Sequence, residues 1–527
     1  MKGWSKKQIS EGICCALVCL FICGLAFFNR TLTTDPVQSF VLGEASFDVM
    51  KHEIQEAYTG DRLRWKDQFI TLNGGYGRLC GRNRYNQVLR MRNGMLKAAD
   101  SPLQDMQSLS EAITGLYRFL SRENIRFLYV MAPYKNPLTN DALPYGAEKD
   151  ADSCNAIADD LLTRLREARV PCLDLRKTLS ATLEQVDRYF YRTDHHWNVD
   201  GSFRGYQQIM KKLTELYPSL TARYTDAALW EKHVIPDWWL GSHGLRVGHL
   251  FAGWDDLTYM LPRFETDMTW ISPLFGFRHG SFEQANISQN DIILRNIVNY
   301  GVYIGSDYPL NFHRNRNAPN PIRVLVLKDS FMLPVQAFLS TEFMEIDVID
   351  PRYYHDVSVL EYIALNPPDL VIMQTSPMTS PDQRYAELGE AEGIARPEVT
   401  LFSAEEIPFP WENGDGCFRI PVTLEASSYY EVTVGEIEKE ESNPVEGVNF
   451  ELIDPETEET VLLTTVDIEY GNRDGFRWAF RTPESGEYSL FLFSDMNKNP
   501  GSRLTYHQVR LNRLSGIVSP GQSGFSE

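Results

Sequence analysis

Three residue types that together carry out acyl transfer occur at two places in this sequence. Asp194 and His196 lie in the tetrad Asp194-His195-His196-Trp197, which aromatic residues surround, and Ser330 follows closely after an apolar run. A serine hydroxyl becomes a good nucleophile when a histidine removes its proton and a carboxylate orients that histidine. The sequence therefore indicates a charge system of the hydrolase type, with acyl-transfer chemistry.

The spacing within the tetrad favours a carboxylate–imidazole pair. Residues i and i+2 of an extended loop point the same way, so Asp194 and His196 can meet at one site while His195 points elsewhere. Ser330 lies between a predicted buried strand and a predicted helix, at the sheet edge where α/β proteins bind ligands. The alternatives are a polar loop whose histidines satisfy backbone carbonyls, and a serine that only caps a helix.

Metal binding is another use for these imidazoles. His195 or His196 would need distant histidines as further ligands: His243, His249 or His279. No paired ligand spacing supports such a site. We therefore expect no metal and no cofactor.

The segments around these residues alternate between helix and strand patterns. Apolar residues at helical spacing predict helices in 108–123, 153–168, 201–217 and 357–365. Continuous apolar runs predict buried strands in 125–132, 170–175, 322–327, 343–349 and 369–374. This alternation predicts an α/β/α sandwich built on a parallel sheet that is covered on both faces.

Two parts of the chain break this pattern. Residues 233–320 are rich in Trp, Gly and His, and indicate a long insertion near the site or a subdomain with its own small core. From about residue 396, short alternating segments predict an all-β sandwich, an architecture that many carbohydrate-binding modules share. The predicted domains are a stub with a membrane anchor or signal (1–30), a connecting region (31–107), the α/β domain (108–395) and the β-sandwich (396–527).

The N-terminus carries a membrane or export signal. Ile13 to Phe28 contains no charged residue, and three lysines precede it. Its 16 residues fall just short of the ~17–25 of a spanning helix, and the lysines predict a cytoplasmic N-terminus. A cleaved signal peptide is the alternative, because small residues lie near its end. We expect a single-pass membrane protein with an extracytoplasmic body, or a secreted body if the signal is cleaved.

The composition of the chain argues against nucleic acid as a partner and against a disulfide framework or metal site built from its cysteines. A chain of 527 residues is long enough for two or more domains, and a net charge of −20 argues against nucleic-acid binding. Four of the eight cysteines lie in the N-terminal apolar segment, and the other four are scattered. This distribution predicts neither a disulfide framework nor a cysteine metal site.

Several short motifs of the chain match one protein family. The tetrad stands at an Asp-x-His-Trp motif, and residues 328–331 (Lys-Asp-Ser-Phe) match a nucleophile segment. Residues 29–32, 132–135 and 348–353 agree as well. In these motifs the chain resembles the DHHW-motif proteins and, more distantly, the alginate O-acetyltransferases of the SGNH hydrolase-like superfamily. The resemblance runs from the apolar segment to about Ser376 and leaves out the β-rich tail.

The resemblance implies an SGNH-like α/β/α domain with Ser330 as nucleophile, His196 as general base and Asp194 as its orienting partner. The acid and base precede the serine, as in the alginate-type enzymes. Lys328 stands where many SGNH proteins have glycine, and the family's oxyanion asparagine and glycine have no clear counterpart. Weaker candidates for substrate contact are Lys135, Trp197, Arg352 and Tyr353. The alternative for the charged candidates is pairing with nearby carboxylates such as Asp350.

The sequence and the resemblance together favour an extracytoplasmic, membrane-anchored O-acyltransferase. We expect it to transfer acetyl groups to a cell-surface polysaccharide through an acyl-serine, with a membrane-bound partner as one source of the acyl donor. A carbohydrate esterase with the same triad is the nearest alternative, because the acyl-enzyme half-reaction is identical. The other alternative is a non-catalytic glycan-binding or assembly protein with a vestigial site. The presence of Lys328, where many SGNH proteins have glycine, favours that alternative.

Overall fold

The structure is a computed structural model, and it describes residues 27–53, 64–98, 103–139, 153–272, 276–288, 300–377, 393–408, 417–439, 447–467, 473–494 and 504–515, apart from positions 28, 43–45, 48, 356, 458 and 483. Its helices are α1 (Thr31–Val41), α2 (Lys66–Leu79), α3 (Gln107–Arg122), α4 (Ser153–Glu167), α5 (Arg176–Leu179), α6 (Leu183–Tyr189), α7 (Val199–Leu216), α8 (Ser242–Val247), α9 (His249–Ala252), α10 (Phe282–Asn286), α11 (Met332–Leu339) and α12 (Val359–Leu365).

The strands of the first 375 residues are β1 (Arg84–Tyr85), β2 (Val88–Arg90), β3 (Leu96–Ala98), β4 (Arg126–Met131), β5 (Cys172–Asp174), β6 (Trp230–Trp239), β7 (Asp255–Pro262), β8 (Met268–Ser272), β9 (Gly276–Gly280), β10 (Leu310–Arg314), β11 (Asn320–Leu327), β12 (Phe343–Ile349) and β13 (Leu370–Thr375). Those of the C-terminal part are β14 (Arg396–Pro408), β15 (Cys417–Leu424), β16 (Tyr429–Lys439), β17 (Gly447–Ile453), β18 (Thr460–Asp467), β19 (Arg473–Arg481), β20 (Gly486–Ser494) and β21 (Leu504–Ser515).

An eight-stranded sheet forms the centre of the larger domain, in the order β5-β4-β13-β11-β12-β10-β8-β9. The first five strands run parallel. The other three, β10, β8 and β9, pair antiparallel. The predicted parallel sheet is therefore its central part, and antiparallel strands extend it on one side.

Alternate residues of the parallel strands face two different cores. In β11, Val324 and Val326 pack into one core with α7 and α11, whereas Leu325 and Leu327 pack into the other with α3, α4 and α12. All four side chains are at most 1% exposed. This alternation follows from the two-residue period of a strand, and it produces the predicted α/β/α arrangement.

The segment predicted as an insertion is divided between two sheets. β6 and β7 form an antiparallel pair of their own, and α8 and α9 lie between them in sequence. β8, β9 and β10 belong to the main sheet. Within the described residues, this segment thus combines an outlying hairpin with strands of the central sheet.

The C-terminal part consists of two four-stranded antiparallel sheets, β14-β21-β16-β19 and β15-β20-β17-β18. Their inner faces share one hydrophobic core, which includes Val432, Phe450 and Leu492. This is the β-sandwich that the alternating segments predicted.

Among the residues that the structure describes, no helix is long and apolar enough to cross a membrane. The predicted anchor, Ile13 to Phe28, lies outside those residues except for Phe27.

Candidate active site

The structure brings Asp194, His196 and Ser330 into one hydrogen-bonded line. Nδ1 of His196 lies 2.7 Å from Oδ1 of Asp194, and Nε2 lies 2.7 Å from Oγ of Ser330. Asp194 and His196 are buried, and Ser330 is partly exposed. An imidazole held between a carboxylate and a hydroxyl in this way can take the hydroxyl proton as a nucleophile attacks.

Ser330 is held at the carboxyl end of the central sheet. It follows β11 and precedes α11, and the buried carboxylate of Asp329 fixes the turn between them. Oδ1 of Asp329 accepts hydrogen bonds from the amide nitrogen of Phe331 (3.0 Å) and from Nε2 of Gln374 (2.8 Å). Oδ2 accepts from the amide nitrogen of Ser376 (2.8 Å). Asp329 therefore ties the nucleophile turn to the end of the neighbouring strand, β13.

The loop that carries Asp194 is held by two buried charged residues. Nζ of Lys135 donates to the carbonyl oxygens of Tyr191, Arg192 and Asp194 at 2.7, 2.9 and 2.8 Å. Asp255 accepts from the amide nitrogens of Arg192 (2.8 Å) and Thr193 (2.6 Å). Burial lowers the pKa of Lys135 to about 7, and Asp255 and Asp194 act in the opposite direction. The loop thus has an internal partner for each of these backbone groups.

Ser242, at the start of α8, holds the second oxygen of the carboxylate. Its amide nitrogen donates to Oδ2 of Asp194 at 2.7 Å, and its hydroxyl lies 2.9 Å from Nδ1 of His195. Gly241 makes this approach possible, because a Cβ there would lie 2.3 Å from Cβ and 2.8 Å from Cα of Asp194. Any larger residue at position 241 would displace the carboxylate.

The charge of Asp194 is well stabilised. Burial alone would raise the pKa of Asp194, but the two neighbouring imidazoles and the hydrogen bonds from His196 outweigh it, so that the pKa lies well below its usual range. The amide nitrogen of His196 donates to the same carboxylate at 2.9 Å. Asp194 is therefore anionic at neutral pH and can orient the imidazole.

Aromatic rings cover both faces of the His196 imidazole. The ring of Tyr300 is parallel to it within 7°, with the centroids 3.8 Å apart. On the other face lies His195, at 3.7 Å and 37°. Burial lowers the pKa of His195 to about 4, with His196 acting in the same direction, so His195 is neutral at pH 7.

A buried charge cluster lies beside the nucleophile turn. Lys328 is fully buried and forms ion pairs with Asp307 and, at 3.2 Å, with Asp350. Arg352 pairs with the same two carboxylates, at 3.1 and 2.6 Å. Burial alone would raise the pKa of Asp307, but Lys328 and Arg352 outweigh it and lower this pKa. Lys328 is therefore an internal ion-pairing residue.

The four weaker candidates have different surroundings. Lys135 and Trp197 are buried, and the indole nitrogen of Trp197 donates to the carbonyl oxygen of Phe331 at 3.0 Å. These two were candidates for substrate contact, but they lie inside the protein with partners there, so in the structure they hold the site. Arg352 is 35% exposed and Tyr353 49% exposed, and the guanidinium lies over the Tyr353 ring at 5.2 Å. A substrate contact by Arg352 or Tyr353 stays a prediction.

A metal at this place would compete with the hydrogen-bonded line. Ligand atoms of Asp194, His195 and His196 lie within 4.8 Å of one another. Both ring nitrogens of His196 are, however, already directed at Asp194 and Ser330. His249 and His279 have other neighbours, Trp254 and Asp267 respectively. This donor set suits proton transfer better than metal binding.

One family model matches the chain, over residues 91–233, and it describes an SGNH hydrolase-like domain of the acetyltransferase AlgX. Residues 91–233 are thus similar in sequence to that SGNH hydrolase-like domain. The matched segment contains Asp194 and His196 and ends before Ser330. The resemblance inferred from the motifs is thereby confirmed, as is the enzyme type, an SGNH-like acyltransferase or esterase.

Solved structures of similar proteins come from several bacteria. Bacillus cereus PatB1 is 24% identical, with a TM-score of 0.49 over 56% of this chain and 98% of PatB1. A DHHW family protein from Eubacterium siraeum is 16% identical, with a TM-score of 0.44 over 58% and 95% of the two chains. Pseudomonas aeruginosa AlgX is 13% identical, with a TM-score of 0.34 over 81% and 94%. No curated protein matches the sequence.

Sequence reasoning missed several residues of the candidate active site. His243 was considered only as a distant metal ligand, Gly241 stood out only as part of a segment rich in Trp, Gly and His, and Ser242 between them was not singled out. Tyr300, which stacks on His196, lies 104 positions after it, and nothing in the local pattern marks it. Asp329 adjoins the predicted serine and could have been recognised as a turn-forming carboxylate.

Proposed function

We propose that the protein is an O-acetyltransferase that modifies a polysaccharide, with Ser330 as nucleophile, His196 as general base and Asp194 as the residue that orients it. The observation that carries this proposal is the continuous line from Asp194 through His196 to Ser330, with 2.7 Å at each step. The acetyltransferase description of the matching domain supports the reaction class.

In the first half-reaction, Oγ of Ser330 attacks the carbonyl carbon of an acetyl donor while Nε2 of His196 accepts the hydroxyl proton. The tetrahedral intermediate collapses, the donor's leaving group takes the proton from His196, and acetyl-serine remains. In the second half, a sugar hydroxyl gives its proton to His196 and attacks the acetyl carbon. Ser330 then leaves and recovers its proton, and the sugar carries the acetyl ester.

The proposal also includes the acceptor, the cellular location and the source of the acyl donor. The acceptor is a cell-surface polysaccharide, the body lies outside the cytoplasmic membrane behind an N-terminal anchor, and a membrane partner supplies the acyl donor. Arg352, a partly exposed member of the charge cluster, and the exposed Tyr353 contact the substrate, and the β-sandwich holds the glycan. The acetyltransferase description of the matching domain model, together with the apolar N-terminal segment, supports this assignment.

The direct test measures turnover of p-nitrophenyl acetate and the acetyl adduct by intact mass. Wild type should form an adduct that Ser330→Ala and His196→Ala abolish. Ser403→Ala, an exposed serine of the β-sandwich, is the matched control and should behave like wild type. A wild type that shows neither turnover nor adduct would contradict the proposal.

The second experiment distinguishes transfer to a sugar from hydrolysis by identifying which acceptor receives the acetyl group. Oligosaccharides with free hydroxyl groups are added to the acetyl-enzyme, and the acetylated sugar and free acetate are both quantified. An acetyltransferase should produce the acetylated sugar at the expense of acetate. Acetate alone across a broad panel of sugars would indicate the esterase instead.

A further inference from the structure

The two hydrogen bonds of His196 leave one motion of its ring unrestrained. They fix Nδ1 against Asp194 and Nε2 against Ser330, both at 2.7 Å. The ring can still rock about the line between these two partners. A hydrogen bond weakens steeply when its donor rotates out of line, so something must hold the faces of the ring.

Packing on both faces supplies this restraint. Tyr300 stacks within 7° of parallel at 3.8 Å, and His195 covers the opposite face at 3.7 Å. The ring of Phe331 closes one side at 4.9 Å. His195 is in turn held by the hydroxyl of Ser242, whose amide nitrogen binds Asp194. The imidazole is therefore clamped between two rings, one of which is anchored to the same carboxylate.

We propose that Tyr300 is a positioning residue of this site, whose ring face keeps the His196 imidazole in line with Asp194 and Ser330 and stabilises the imidazolium that forms when Ser330 is deprotonated. This inference rests on the proposed role of His196 as general base. The face of a tyrosine ring is electron-rich and attracts a cation stacked on it. The imidazole becomes such a cation only during the reaction, so the contact strengthens at that point.

The other groups around His196 are consistent with this role. Asp194 supplies the negative charge at Nδ1, and His195, on the second face, is neutral at pH 7. Lys135 and Arg352 act on His195 from a greater distance, and Asp307 acts on His196. No cation therefore stacks on the ring among the described residues, and Tyr300 faces it directly.

The hydroxyl of Tyr300 takes no part in this role. It is buried, and the polar side chain beside it is that of Trp197, whose indole nitrogen is bound to the carbonyl oxygen of Phe331. Removing the hydroxyl alone should thus leave the clamp intact, whereas removing the ring should open it. Tyr300→Phe should therefore keep the reactivity of Ser330, whereas Tyr300→Leu should lose part of it.

The test follows the reaction of Ser330 with phenylmethylsulfonyl fluoride by intact mass, as a function of pH. This reaction needs the nucleophile and its base but neither an acetyl donor nor a sugar. Tyr300→Phe should react like wild type. Tyr300→Leu should react roughly tenfold more slowly, with the acidic limb of its pH profile moved to lower pH by roughly half a unit to one unit. The limb moves in this direction because losing the ring face makes the imidazole a weaker base.

Phe119→Leu, which removes a buried ring from the core on the other side of the sheet, is the matched control. If Tyr300→Leu fails to fold, Tyr300→Met takes its place, because methionine refills the volume without an aromatic face. A folded Leu or Met variant that reacts like wild type with an unmoved limb would overturn the inference, as would a Phe variant as slow as Leu. Normal sulfonylation of wild type without acetyl transfer would instead count against the proposed function alone.

Discussion

Gly241→Ala should damage the triad without touching any of its three members. A Cβ at position 241 would lie 2.3 Å from Cβ and 2.8 Å from both Cα and N of Asp194. Ordinary contacts begin near 3.4 Å, so the Asp194 backbone must move by about 1.1 Å (3.4 − 2.3). Two of the crowded atoms are main-chain atoms, and no change of rotamer relieves them.

The effect on catalysis follows from the geometry of the line. The bond between Asp194 and His196 is 2.7 Å long, and a shift of this size directed away from His196 lengthens it beyond hydrogen-bonding distance. A misplacement of ~1 Å in a catalytic constellation costs on the order of 100-fold in rate. We expect kcat for p-nitrophenyl acetate to fall by about that factor, with a loss of stability of ~1–3 kcal/mol from overpacking.

The control is Gly115→Ala in α3. A Cβ there meets nothing within 4 Å, and alanine is the better helix former by ~1 kcal/mol, so turnover should stay unchanged and the melting temperature should stay level or rise. Both variants are compared by steady-state kinetics and thermal unfolding. If Gly241→Ala folds and keeps wild-type turnover, the carboxylate is not held as the structure indicates, and the reasoning is refuted.

Three further predictions concern buried polar residues in and around the site. Asp194→Asn should fold but lose ~10³–10⁴ in kcat, because an amide no longer selects the imidazole tautomer; a smaller loss, under about tenfold, would argue against the orienting role. Lys135→Met should cost ~2–4 kcal/mol in urea denaturation, because three backbone carbonyls lose their donor; unchanged stability would contradict this. Burial lowers the pKa of His243 to about 3, below its unfolded value of 6.5, so the unfolded chain binds the extra proton and stability falls as pH drops from 6.5 towards 3. His243→Gln should reduce that slope by up to ~1.4 kcal/mol per pH unit between pH 7 and pH 5, and an unchanged slope would contradict the burial argument.

The central sheet was largely predictable from local pattern. Continuous apolar runs located β4, β11, β12 and β13 to within two residues, because parallel strands buried on both faces are apolar along their whole length. The antiparallel strands β8 and β9 were not predicted. They are five residues long and lie in a segment rich in Trp and Gly. β8 owes its place to pairing with β10, about 40 residues later, and β9 pairs with β8.

The candidate site was predictable where spacing alone fixes direction. Asp194 and His196 meet as their spacing predicted, and the family resemblance, rather than backbone geometry, joined Ser330 to them. His195 was expected to point elsewhere, but it lies on the His196 ring at 3.7 Å, because residues 192–196 form bends and not an extended segment. Lys135 shows the limit. Whether an ammonium meets a substrate or three carbonyls depends on burial by residues far away in sequence, which a local pattern does not contain.

The two halves of the site are held by different means, and this bears on how it tolerates change. Ser330 lies between a central strand and α11, and Asp329 joins its turn to the adjacent strand, so its position follows from the sheet itself. Asp194 lies on a loop, and its position depends on Lys135, Asp255 and Ser242 from three separate segments. Loops are usually the variable part of a fold, and here the position of the Asp194 loop depends on these buried polar contacts. The orienting half of the site should therefore be the half most easily disrupted by substitutions outside the triad.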